Sequence, residues 1–178
     1  MRRCVPRQLV IQPYFLMRNL LPILVLFIMS VGSRDIAAKD LRSRIGVGFN
    51  THLGDTPALA ARYGMPTSNP NINIQVEADV GFAPETADGG AQTMVGGRAL
   101  MGLVSEDNLN LYGVVGVASM AQGDATTLRL QPTISIDWFL FGLENLGLTT
   151  AWGVNVDMGE SVGLTTTGAL TAGALYWF

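Results

Sequence analysis

The chain has 178 residues, of which 14% are charged and 48% hydrophobic, with 21 glycines and a formal charge of −3. That length fits one domain, and the single cysteine, Cys4, excludes a disulfide framework or a cysteine-based metal site. Arg2, Arg3, Arg7, Arg18 and Arg34 all precede Lys39, and the acidic remainder speaks against nucleic-acid binding, which is driven by phosphate neutralisation.

Residues 1–38 read as a signal peptide, with a helical apolar run. Met17-Arg18-Asn19 supplies the basic start, Leu20 to Met29 the apolar run, and Ser30, Gly32, Ser33, Ala37 and Ala38 a small-residue exit. The run is short for a spanning anchor, and Pro22 interrupts its beginning. Residues 1–16 fit no part of a signal, which makes Met17 a candidate start. The expectation is an exported mature chain beginning near Lys39, with a single domain over 39–178.

Within that domain the dominant signal is period-two alternation, since successive side chains of a strand point to opposite faces. Ile45, Val47 and Phe49 alternate with Gly46, Gly48 and Asn50, and Leu59, Ala61, Tyr63 and Met65 with Ala60, Arg62 and Gly64. The third segment is the clearest: Ile72, Ile74, Val76, Ala78, Val80 and Phe82 oppose Asn73, Gln75, Glu77, Asp79 and Gly81. In the fourth, Val95, Ala99, Met101 and Leu103 oppose Gly96, Arg98 and Gly102. The fifth, Leu109 to Met120, is apolar or small on both sides and has no legible facing. The sixth sets Leu128, Leu130, Pro132, Ile134, Ile136 and Trp138 against Arg129, Gln131, Thr133, Ser135 and Asp137. The seventh sets Leu148, Thr150, Trp152, Val154 and Val156 against Thr149, Ala151, Gly153, Asn155 and Asp157. The eighth carries Leu164, Leu170, Ala172, Ala174, Tyr176 and Phe178 on one face, with Thr165, Thr167, Thr171 and Gly173 on the other. Gly, Pro, Asn and Asp clusters separate the segments as turns would.

Two architectures share this pattern. A soluble lipocalin-like barrel would bury the apolar face and carry a small apolar ligand; a transmembrane barrel turns that face to lipid. Long strands in even number, a polar face rich in Gly, Ser, Thr and Asn, and charges of both signs on it favour the second. Lys39 is the only lysine of the mature chain. The fold expected is therefore all-β, an eight-stranded antiparallel up-and-down transmembrane β-barrel.

A final Phe178 preceded by Tyr176, Ala174, Ala172 and Leu170 at alternate positions resembles the assembly signal of bacterial outer-membrane barrels. With the leader, the chain looks like a small barrel of the opacity-protein and OmpA-transmembrane-domain kind. The resemblance covers the architecture of about residues 41–178 and rests on no family-specific motif. It implies a Gram-negative outer-membrane location, contact with outer-membrane lipid, and recognition of Tyr176 and Phe178 by the barrel-assembly machinery. It also implies a monomer with a structural or narrow, porin-like role in the cell envelope.

Charges inside such a barrel must be paired. Arg62 and Arg98 flank Glu77 and Asp79 from the neighbouring strands, Arg129 and Asp157 share a height on strands six and seven, and Asp137 completes the set of lumen charges. Glu77 and Asp79 have the spacing of paired catalytic carboxylates, yet the nearby arginines favour a structural network. His52, the only histidine, lies near Asp55 without a serine motif, so the expectation is a solvent-exposed loop residue and no enzyme. Asp55, Glu85, Asp88, Asp124 and Glu160 make the loops acidic, but no calcium-loop spacing appears. No cofactor or metal is expected. Tyr63, Trp138, Tyr176 and Phe178 gather near one end of the strands, as an interfacial girdle would.

Overall fold

The computed structural model describes residues 39–54, 56–69, 72–84, 90–159, 161–166 and 171–178. The leader expected over 1–38 and the acidic loop residues Asp55, Glu85, Asp88 and Glu160 lie outside them, as do Thr167 and Leu170 of the eighth alternating segment. The alternating segments form nine strands: β1 Ile45–Asn50, β2 Ala58–Gly64, β3 Ile74–Ala83, β4 Gln92–Glu106, β5 Leu109–Gln122, β6 Ala125–Leu140, β7 Leu143–Met158, β8 Val162–Thr166 and β9 Thr171–Trp177. Each pairs antiparallel with the next as far as β7, and β8 and β9 then lie in succession along the same edge of β7. β9 also pairs with β1, which closes the sheet into an eight-membered barrel.

The ring closes with a stagger. A row of paired residues runs from Val47 through Ala61, Ala78, Gly97, Val117, Leu130 and Val156 to Leu164. Val47 meets the last wall again not at Leu164 but at Tyr176. Such a stagger requires strands tilted to the barrel axis, because closure links shear to tilt.

β8 is exposed along most of its length, and burial resolves the direction of the alternation on the other strands. On β3, Val80 and Phe82 are 59% and 64% exposed, while Glu77 and Asp79 are 5% and 0% exposed. The same sense holds on β1, β2 and β6, where Ile45, Val47, Phe49, Leu59, Tyr63, Leu128, Ile134 and Trp138 are exposed and Arg62, Gln131 and Ser135 are buried. β5, illegible in the sequence, turns Asn110, Tyr112, Val114 and Ala118 inward and Val115 and Val117 outward. In β4 the register shifts between Gly102 and Val104, so both Leu103 and Val104 are exposed.

The β1–β9 seam is the tightest part of the wall. A Cβ on Gly48 would run into the backbone carbonyl of Ala174, so only glycine allows the two chains to approach. We expect Gly48→Ala to lower stability by about 1–3 kcal/mol, in line with overpacking elsewhere. The change should appear as a lower urea midpoint, and an unchanged midpoint would show that the seam has slack.

Candidate functional site: a charged lumen closed at both ends

The residues singled out in the sequence meet inside the barrel. Arg62 pairs in register with Glu77, and Glu77 with Arg98, so three adjacent strands bring one carboxylate between two guanidiniums. Arg62 Nε donates to Glu77 Oε2 at 2.5 Å and Arg98 Nε to Glu77 Oε1 at 2.7 Å, with a second Arg98 nitrogen on the same oxygen. Arg62 Nη1 also reaches across the lumen to Asp137 Oδ2 at 2.7 Å. β2 and β6 are not neighbours in the sheet, so this bond ties opposite walls together.

Asp79 differs. Two places along β3 from Glu77, it stands opposite Ala60 and Gly96 rather than opposite an arginine. Its partner is the Asn50 side chain, whose Nδ2 donates to Asp79 Oδ1 at 2.7 Å and to Glu77 Oε1 at 3.1 Å. An amide therefore does what the sequence reading assigned to arginine. Nearer the loop end, Arg129 and Asp157 are in register and form a bidentate pair at 2.6 and 2.9 Å, partly open to solvent.

Each end of this polar centre is stoppered by apolar side chains. At the end bearing Phe178, Leu41, Ala60, Phe139, Leu175 and Trp177 form a buried cluster. At the opposite end the chain leaving β1 turns inward, and Leu53 packs with Ala58, Met94, Ala118 and Met120. Leu53 sits where a Cβ on Gly96 or Gly116 would come within 2.6 Å of it, so the two glycines of β4 and β5 form its seat.

The inward turn overturns the expectation for His52, which is 1% exposed rather than a solvent-exposed loop residue. Asn50 Oδ1 accepts its backbone N–H at 3.0 Å and Gln131 Nε2 donates to its carbonyl at 2.6 Å. Its Nδ1 lies 2.9 Å from Thr171 Oγ1, which itself donates to the Ala151 carbonyl, a pattern that assigns the Nδ1–H tautomer to the ring. A hydroxyl, not a carboxylate, orients the ring, which is not the arrangement of a nucleophile–histidine–acid triad. Among the described residues no group of three or more His, Cys, Asp or Glu side chains is placed to hold a metal ion.

Outside the wall, Tyr63, Trp138, Tyr176 and Phe178 are exposed near the end bearing the last residue. Tyr176 and Phe178 meet edge to face at 5.1 Å, and the Phe178 N–H donates to the Ile45 carbonyl at 2.8 Å. Phe49 and Phe82 project from the loop-end half, whereas Trp152 stands well away from either strand end. Just before β1, the Arg42 guanidinium hydrogen-bonds Asp40 and holds its carboxyl down at about 2.

Sequence reasoning missed Asn50, Leu53 and the Arg62–Asp137 bond. An asparagine at the inward position ending β1 was the one available sign of the first. The chain matches no protein-family profile, no curated protein and no solved structure.

Glu77→Gln should be the most damaging change in the lumen. It leaves two buried guanidiniums short of a charge, for a loss of about 3–5 kcal/mol. Asp157→Asn, in a partly solvated pair, should cost about 1 kcal/mol or less. Urea unfolding of both variants under the same conditions checks the order, and a reversed order would remove Glu77 from the centre of the network.

Proposed function

We propose that this chain is an integral bacterial outer-membrane β-barrel with a structural, non-catalytic role in the envelope. One observation carries the reading: the barrel is apolar outside and charged inside. Ile45, Val47, Phe49, Val76, Val80, Phe82, Val95, Val115, Val117 and Ile134 face out, while Arg62, Glu77, Arg98 and Asp137 are buried. In water, that distribution would expose apolar surface around the whole wall and desolvate charge, the opposite of what a soluble barrel gains by folding. In lipid, the closed hydrogen-bonded ring satisfies the backbone and the lumen shelters the ions.

Dimensions agree for most of the wall. β3, Ile74–Ala83, covers about 30 Å at a rise of about 3.3 Å per residue, or about 23 Å of height once tilted, close to the apolar band of such barrels, and β4 to β7 are longer, whereas β1, β2 and β9 are shorter. Exposed Tyr63, Trp138 and Tyr176 at one margin supply the amphipathic rings that favour a headgroup boundary. The stoppered lumen supports a structural role over a narrow pore. A lipocalin-like carrier would need an apolar interior cavity, and here the interior centre holds ions.

In this reading the outward-facing Tyr176 and Phe178 of the last wall are what the assembly machinery recognises, and the barrel is a monomer. Val115 points outward at mid-wall between Ala99 and Pro132. Val115→Arg should therefore cost about 2–4 kcal/mol in a bilayer and reduce outer-membrane insertion. The native protein should fractionate with the outer membrane and migrate differently on gels before and after boiling. If Val115→Arg instead left a fully folded, freely soluble protein, the membrane reading would be lost.

A further inference from the structure

The eighth wall is built in two pieces, and only the lower one has a strand on both sides. β9 lies between β7 and β1. β8 has β7 alone: Val162 to Thr166 pair with Met158 to Val154, and no described residue hydrogen-bonds to the other edge. β1 cannot serve it. That strand ends at Asn50, opposite Gly173 of β9, and the residues that follow, His52 and Leu53, are buried in the lumen. An antiparallel pair uses the N–H and C=O of alternate residues, so the remaining backbone groups of β8 point away from β7 without a partner strand.

The side chains leave this edge unguarded. Exposed strand edges are commonly blunted by lysine, by proline or by an inward charge. β8 reads Val-Gly-Leu-Thr-Thr, with neither charge nor proline. Val162 and Leu164 are 77% and 74% exposed. Leu128, Met158 and Val162 are in register across three strands, as are Leu130, Val156 and Leu164, so an apolar outer surface runs up to the free edge.

Height decides what can cover it. β7 is continuous from Leu146, opposite Tyr176, to Met158, opposite Val162. That length is about 40 Å at about 3.3 Å per residue, or about 30 Å of height at a tilt of about 40°. Measured from the aromatic margin at Tyr176, an apolar band of about 25 Å ends near Leu164 and leaves Val162 above it. β8 thus crosses the boundary. Lipid can cover its side chains but offers its backbone no hydrogen bonds, and water can bond its backbone but leaves Val162 and Leu164 wet. An added strand satisfies both.

We propose that β8 is a docking strand: an extended segment of another polypeptide, apolar at alternate positions, adds to its free edge above β1 and continues the sheet. The segment's main chain bonds the unpaired groups of β8, and its apolar side chains lie beside Val162 and Leu164. The free edge belongs to the fold whatever surrounds the barrel; only its height rests on the membrane reading.

The test uses the purified full chain and a fluorescein-labelled peptide of alternating valine and threonine, with terminal lysines for solubility. The peptide's anisotropy should rise saturably with the native protein. The same peptide N-methylated at two adjacent central residues keeps its side chains but loses donors on both edges, and should bind at least about tenfold more weakly. Val162→Lys puts a charge beside the edge and should weaken binding of the unmethylated peptide by a similar factor. That variant should still fractionate with the outer membrane and keep its heat-dependent gel mobility. Equal binding of the two peptides would reduce the surface to apolar adhesion, and no saturable binding would leave β8 without a docking role. Loss of membrane insertion in Val162→Lys would place that residue in hydrocarbon. Each of these results overturns the proposal. Peptide binding to the purified chain is read without a bilayer, so its failure is distinct from a failure of the membrane reading, which Val115→Arg tests.

Discussion

Glu77 between Arg62 and Arg98 is the contact on which the rest of the barrel depends. A desolvated carboxylate is tolerable only when close counter-charges pair with it, as the two guanidiniums do here, since the cost of an unpaired buried ion runs to several kcal/mol. That requirement sets register. Sliding β3 by one residue against β2 or β4 would turn Glu77 outward and Val76 or Ala78 inward, stranding both arginines. The reach of Arg62 to Asp137 then links opposite walls directly, where the ladders join only neighbours. The ion network and the closed ring are thus mutually dependent: the ring excludes water and, through its strand number and shear, sets the diameter, and the ions hold the strands to one register.

The polar centre separates two apolar clusters at the ends of the lumen, and a third, Leu100, Tyr112 and Val114, packs on the inner faces of β4 and β5, where Leu100 stands one inward place from Arg98. Leu175 and Trp177 on β9, and Leu53 beyond β1, shield the ions from bulk water and so keep their mutual attraction strong.

Much of this was legible because strand alternation is local. The run Ile72–Phe82 announces its two faces without any tertiary information, and Arg129 with Asp157 could be paired because β6 and β7 are consecutive and joined by a tight turn. Contacts across the lumen were not legible: nothing in residues 62 and 137 says that β2 and β6 face each other. Asp79 was misread because its height matches alanine and glycine on the adjoining strands, a register that sequence spacing alone leaves open. Trp177 and Leu175 were hidden by their own hydrophobicity, since alternation cannot say which of two apolar faces is inside. His52 was placed in solvent because loops usually run over the surface.

Why that loop does not run over the surface follows from the stagger. β1 has 6 residues and β2 has 7, whereas β6 and β7 have 16 each. Because the row through Val47 climbs around the barrel to Leu164, the wall opposite β1 stands higher than the point at which β1 ends. A chain leaving Asn50 therefore starts below the rim. It meets the inner faces of β4 and β5, where Gly96 and Gly116 leave room for one aliphatic side chain. Leucine at position 53 fills that room, and the backbone polar groups it carries inward find Arg129 and Gln131 at the height they need. A longer β1 would lift the loop above the rim and leave the seat empty. The short first strand and the two glycines are two halves of one device, and the shear of the barrel brings them together.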